Sequence, residues 1–168
     1  IPTNTNGAIC FLPLGERLLV SVSGIREITP EGRLKLIAPV AANTLAASRR
    51  HIGVFFAGTP GRGLWFLTPT PEGGWRAEGP VAQVPPRLVR LLDTGDGYLW
   101  GTSANGMVWR ADFRAGLRLD VPVELFGPER GAPATTGSDF RQIYALGGTV
   151  GVVNSQSAST TWRLVTAI

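Results

Sequence analysis

Apolar residues in this chain come in short runs, broken every few positions by glycine, proline or a polar turn. Four runs are β-branched or aromatic and of strand length: "RLLVSVS" from Arg17, "HIGVFFAG" from His51, "YLWGTSA" from Tyr98 and "TVGVVNS" from Thr149. Each follows a turn, at Leu14-Gly15-Glu16, Ser48-Arg49-Arg50, Gly95-Asp96-Gly97 and Leu146-Gly147-Gly148. Before each turn stands another apolar run ("AICFLPL", "NTLAAS", "RLVRLLD", "RQIYAL"). After each strand comes a third ("GIREITP", "GLWFLTP", "GMVWRAD", "TTWRLVT"). Taking Leu19, Ile52, Leu99 and Val150 as equivalent positions, the units are 33, 47 and 51 residues apart.

A second marker recurs independently. The dipeptide Pro-Val closes a fourth run in "LKLIAPV", "WRAEGPV" and "LRLDVPV", so that Pro39, Pro80 and Pro122 are spaced by 41 and 42 residues. Pro2, in "IPT", lies 37 residues before Pro39. Proline lacks the donor that a sheet ladder needs, which suits it to the end of an outermost strand. Four units follow, at about residues 8–40, 41–81, 82–123 and 124–168, within one domain covering 1–168. A period near 42 with three or four strands per unit predicts an all-β, propeller-like repeat of four small blades, partial or open. A β-sandwich or barrel is the alternative, since both also use short strands with frequent turns. The last unit ends at "WRLVTAI" and is expected to be incomplete, leaving an open edge or an edge covered by the N-terminus or a partner.

The stretch "DTGDGYLWGTSANGMVWRAD" resembles the two-component regulator propeller repeat. Blades of that family carry an Asp, a Gly, an aliphatic-Trp pair, a Gly-Thr and a Gly opening the next strand. Here these fall on Asp93, Gly97, Leu99-Trp100, Gly101-Thr102 and Gly106. The unit at His51 keeps "AGT" and "GLW"; the units at Leu19 and Val150 keep the spacing. The resemblance implies a propeller blade and an extracytoplasmic ligand-sensing role, with a periplasmic bacterial location. The Asp-box of sialidase-like propellers does not fit, because Asp96 stands four residues before Trp100 where that box needs five.

Tyr98 and Trp100 share one face of their strand and Leu99 and Gly101 the other. A large ring there is expected to fill a layer between sheets. Trp65, Trp109 and Trp162 stand in the third strand of three units, and a repeated place in the unit argues for packing. Gly97 and Gly106 read as turn glycines where a hairpin requires positive φ. "GDG" is no phosphate loop, since no helix follows it, and "GTPGRGLW" runs straight into a strand. No catalytic, cofactor-binding or metal-binding residue is assigned. His51 is the only histidine and reads as an exposed turn residue. With a single cysteine, Cys10, neither a thiolate cage nor an internal disulfide is available. Cys10, inside an apolar run, reads as a buried, inert thiol. A Ser-His-Asp set through His51 lacks a Gly-x-Ser-x-Gly elbow.

Composition adds a direction rather than an activity. The 22 glycines and 13 prolines disfavour long helices, and no apolar run approaches the ~20 residues that span a bilayer. The chain begins with Ile1 rather than Met, which reads as a processed product or a fragment. The formal net charge is +4, and Lys35 is the only lysine among sixteen basic residues. The arginines are scattered and form no run of the kind that marks nucleic-acid tails, so no specific nucleic-acid partner is expected. Arginine favours planar contact with carboxylates and is enriched at interfaces. The expectation is therefore a non-catalytic protein-interaction or scaffold module, an accessory subunit of a larger assembly that includes membrane-associated ones. A sensing domain and a propeller hydrolase or lyase are the alternatives. The first candidates for partner contact are the Arg49-Arg50-His51 turn and the loop Leu125 to Phe140, with Glu129 and Arg130 at its front.

Overall fold

The computed structural model describes residues 10–130, 132, 141–146, 149–154 and 163–165. Their order is all-β, apart from one 3-10 turn at Pro128–Arg130. The first sheet holds β1 (Cys10–Leu14), β2 (Arg17–Ser21), β3 (Ile25–Ile28) and β4 (Leu34–Ala38). The second holds β5 (Thr44–Ala47), β6 (Phe55–Thr59), β7 (Gly63–Pro69) and β8 (Trp75–Glu78). The third holds β9 (Leu88–Asp93), β10 (Tyr98–Ser103), β11 (Val108–Asp112) and β12 (Val123–Phe126). The fourth shows three strands among the described residues: β13 (Arg141–Leu146), β14 (Thr149–Asn154) and β15 (Arg163–Val165). Every pairing is antiparallel between sequence neighbours. The chain is thus a repeat of blade-like sheets, as its spacing predicts. No helix among the described residues is long and apolar enough to cross a membrane.

The strands are short because turn residues interrupt them, and short antiparallel sheets must bury at least one face to persist. The innermost strands β1, β5, β9 and β13 touch in that order, so each sheet packs face-on against the next. Strand alternation then divides the side chains. In the second sheet, Phe55, Ala57 and Leu67 pack toward the first, with Leu19, Ile25 and Ala38. Phe56, Leu64 and Phe66 point the other way and meet Leu99, Trp109 and Ala111 of the third. In that sheet Trp100 and Val108 turn to Ile143, Val150 and Val152 of the fourth. Trp65 and Trp109 occupy equivalent places, since Trp65 pairs with Ala57 and Trp109 with Gly101, and each faces the preceding sheet. Gly101 cannot carry a side chain, because a Cβ there would collide with the Trp109 indole.

Three expectations change. The segment "LRLD" is not the fourth strand of the third unit: that strand is β12, so Pro122 precedes the strand it was expected to close. The segment forms a turn instead, in which the Arg118 guanidinium donates to the Asp120 carboxylate at 2.6 Å. Ile52 is not in a strand; it tips the β5–β6 turn at 97 % exposure, and Phe55, 44 residues before Leu99, takes the corresponding place. The long loop is shorter than Leu125 to Phe140, because Leu125 and Phe126 end β12 and Pro128–Arg130 form the 3-10 turn. Residues 133–140 and Trp162 lie outside the described residues.

Candidate interaction surfaces

The β5–β6 turn is held from outside its own sheet. Asp93, buried at the end of β9, accepts hydrogen bonds at one carboxylate oxygen from the Ser48 hydroxyl (3.1 Å) and the Arg49 amide (3.0 Å). Its other oxygen accepts the Gly95 amide at 2.6 Å. One carboxylate therefore fixes the turn of the second sheet to the turn of the third. The Ser48 oxygen in turn accepts the His51 amide at 3.1 Å. Ser48, His51 and Asp93 thus meet, but the serine proton is directed at the aspartate and only the His51 backbone reaches the serine. His51 is half-buried rather than exposed, as expected from sequence, because its ring lines a narrow cleft with Phe56, Tyr98 and Phe113. Its Nε2 is buried and has no hydrogen-bond partner. Arg49 and Arg50 are exposed beside it.

Gly97 closes the opposite wall. Its φ is +93°, and a Cβ there would meet Arg114 Cγ at 2.7 Å, so both conformation and space require glycine. Gly106, at φ 74°, closes the β10–β11 turn with its amide on the Ser103 carbonyl at 2.8 Å.

Along the third sheet, arginines interleave with rings. The Arg114 guanidinium lies 4.5 Å from the centre of the Tyr98 ring, and Arg110 stacks on the same ring at 4.2 Å. Arg110 is buried and also approaches Trp100 (5.3 Å) and Phe126 (5.7 Å), while Arg130 covers Phe126 at 4.4 Å. Glu124 binds both cations, Arg110 at 3.0 Å and Arg130 at 3.1 Å. The Arg110 hydrogen bond, reinforced by Arg130 and opposed by partial burial, holds the Glu124 carboxyl below its ordinary range. Such stacking is worth about 0.5–2 kcal/mol per contact, more when desolvated. Of the two residues expected in this region, Arg130 is engaged in the ladder and Glu129 is exposed in the 3-10 turn. A similar device closes the first layer: Arg17 grips Glu27 through two 2.6 Å bonds and lies 4.6 Å over the Trp75 ring.

Among the described residues, exposed apolar side chains also gather on a face no sequence signal singled out. Leu12, Leu19 and Ile25 of the first sheet face the second sheet. The alternate positions face away. Register places Pro13, Leu18, Ile28 and Leu34 in one cross-strand row. Phe11, Val20, Arg26 and Leu36 form the row beside it. Phe11 is 59 % exposed, Leu34 51 %, Leu36 50 % and Leu18 36 %, while Val20 is buried. The only charge in the two rows is Arg26, whose Nε donates to the Val22 carbonyl at 3.2 Å. Cys10 lies at the end of this sheet, with its thiol on the Ala42 carbonyl at 3.5 Å, and burial pushes its pKa up.

Among the described residues no group of three His, Cys, Asp or Glu side chains is placed to hold a metal ion. No family model matches this chain, and no curated protein matches it.

Proposed function

We propose that this chain is a non-catalytic protein-interaction module, a short stack of blade-like sheets that presents a sheet face to another protein. The observation that carries this reading is the bare face of the first sheet. Phe11, Leu18, Leu34 and Leu36 are large, apolar and at least a third exposed, and they share one face of the sheet around the buried Val20. Contiguous exposed apolar patches of this kind mark protein contact sites in soluble domains. The bonding of Ser48, Asp93 and the His51 backbone supports the same reading, since those groups are spent on joining two turns. Photo-crosslinking in native cells tests it. A benzophenone residue replacing Leu36 is expected to yield a defined protein adduct, and one replacing Arg76, on the second sheet, is not. An absence of any adduct from Leu36, with the protein folded and abundant, overturns the reading.

A further inference from the structure

We propose that the cavity between the β4–β5 linker and the β6–β7 turn is a binding site for an acidic peptide, which sets a carboxylate on Arg62 and an aliphatic side chain between two prolines; this site is separate from the face of the first sheet. The cavity measures about 310 Å³ and is lined by Pro39, Val40 and Ala41 of the linker and by Thr59 to Arg62 of the turn. Its origin lies in one residue. At the offset of 44 residues that relates Phe55 to Leu99, Pro60 stands where the third sheet has Ala104. There the Ala104 amide donates to the Arg87 carbonyl at 2.9 Å and ties the β10–β11 turn to the linker entering its own sheet. Proline has no amide proton, so this tie cannot form at Pro60. The linker is also shorter, residues 39–43 against residues 79–87. It is anchored elsewhere, by the Asn43 amide on the Gly58 carbonyl and the Ala42 amide on the Ser21 hydroxyl, both at 2.8 Å. Turn and linker therefore stand apart in the second sheet and are joined in the third.

The lining fixes the class of ligand. Val40 and Thr59 are buried and the other lining residues are exposed, so the cavity opens to solvent between linker and turn. The Thr59 hydroxyl is already committed: it donates to the Gly63 carbonyl at 2.9 Å and accepts the Arg62 amide at 2.8 Å. What remains is apolar side chains and one cation. The Arg62 guanidinium has no carboxylate or carbonyl partner among the described residues, and no acidic residue lines the cavity. By contrast Arg114 and Arg118, also in turns, are neutralised by Asp112 at 2.7 Å and Asp120 at 2.6 Å. A bare guanidinium recognises a carboxylate through paired N–H donors, and it is more weakly hydrated than an ammonium group. The Ala41 and Gly61 amides make no hydrogen bond within the protein among the described residues, so the rim offers two backbone donors to an extended chain. The volume lies at the low end of binding cavities, about 300–1,000 Å³, which suits one side chain better than a whole cofactor. The open side lets the main chain of a peptide stay outside while that side chain enters.

Panning a library of random short peptides on the purified chain tests this. Enriched peptides are expected to carry Asp or Glu beside an aliphatic residue and to bind more weakly as salt is added. Their binding to the unaltered chain should shift the amide resonances of Ala41 and Gly61, a readout that does not depend on any variant folding. Arg62→Gln should lower the affinity of such a peptide at least about tenfold, and Ala41→Trp, which fills the cavity from its exposed rim, should do the same by a different route. Both residues are exposed, so the β-sheet circular dichroism is expected to stay unchanged in either variant. A library that yields no acidic peptides overturns the proposal, as does binding that survives both Arg62→Gln and Ala41→Trp. Butyrate that binds as tightly as the peptides also overturns it, because the site would then take a free acid. If no acidic peptide binds but Leu36 gives a protein adduct in cells, this proposal falls and the interaction reading of the first sheet stands. If acidic peptides bind at Arg62 and Leu36 gives no adduct, that reading falls and this site stands.

Discussion

The first and third sheets share a plan of four antiparallel strands in sequence order, yet their central strands meet different surroundings. In the third sheet, Leu99 faces one neighbour and Trp100 the other, and both are 1 % exposed. In the first sheet Leu19 and Val20, the counterparts of Leu99 and Trp100, are buried as well, but Leu18, the counterpart of the half-buried Tyr98, is 36 % exposed, and Phe11, Leu34 and Leu36 on its face are 50 % exposed or more. A blade packed on both sides draws stability from two layers; a blade packed on one side draws it from one. Repeat architectures behave this way because each unit is stabilised through its nearest neighbours. The same side-chain pattern therefore gives packing on both sides of a sheet only where a neighbouring sheet stands on each face.

The sharpest way to break this comparison is to remove the ring at the centre of the third sheet. Trp100 stacks on Phe126 with centroids 4.9 Å apart and packs among Val150, Val152 and Ile143. Trp100→Ala is expected to cost roughly 3–5 kcal/mol, read as a large fall in the denaturant midpoint. An unchanged midpoint would remove the ring from the layer between sheets.

The next effect concerns the joint between the second and third sheets. Asp93→Ala leaves the Ser48 hydroxyl and the Arg49 and Gly95 amides without their acceptor. A loss of about 1–3 kcal/mol is expected, the usual penalty for orphaning buried polar groups, with Asp93→Asn costing less. Amide exchange should speed up in the β5–β6 and β9–β10 turns together. Faster exchange in only one of them would show that the carboxylate does not couple the two sheets.

How much of this was legible in the sequence follows from the range of the forces involved. The three inner strands of each unit were readable because hairpins are local: alternation and a turn glycine suffice. Trp65 and Trp109 were recognisable as packing residues from their repeated place. The fourth strand of the third unit was not, because the alternating "LRLD" imitates a strand while the chain there forms a turn with an exposed Arg118–Asp120 pair. Ile52 misled for the opposite reason, an apolar residue spent on a turn tip. The role of Asp93 was out of reach, since its partners Ser48 and Arg49 lie 45 and 44 residues away. So was the arginine ladder, which needs β10, β11 and β12 brought side by side before Tyr98, Arg110 and Glu124 meet. The bare face was hidden because alternation marks two faces of a strand without saying which has a neighbour.

Acid should act on both sheets through their arginine–glutamate pairs, and modestly. Hydrogen bonds from Arg17 hold Glu27, and those from Arg110 hold Glu124, below the ordinary glutamate range. A depressed folded-state pKa contributes stability that is present above the unfolded value, about 4.3, and is lost as pH falls through the folded value. The denaturant midpoint is therefore expected to drop as pH falls from about 5 to 3, and Glu27→Gln or Glu124→Gln to flatten part of that drop. Both pairs are partly exposed, so each should contribute about 1 kcal/mol or less. A midpoint rising with acid would reverse the sign and exclude these pairs as its source.

The smallest effect is the one that tests most directly whether the outer face of the first sheet is covered. Leu34 sits on β4, the outer strand of the first sheet, and half of its surface is open to solvent. In a single, separate copy, Leu34→Ala removes little buried area and leaves no cavity, so at high dilution the midpoint should move by no more than about 0.5 kcal/mol. The same truncation in a filled layer costs roughly 2–5 kcal/mol. The gap between these values is wide enough for one measurement to separate them. A large loss at high dilution would mean that the face is already covered within one chain, and the first sheet would then be no different from the third. A small loss at dilution that grows with protein concentration would place the cover on a second copy, because only then does the energy of the layer depend on how often two chains meet.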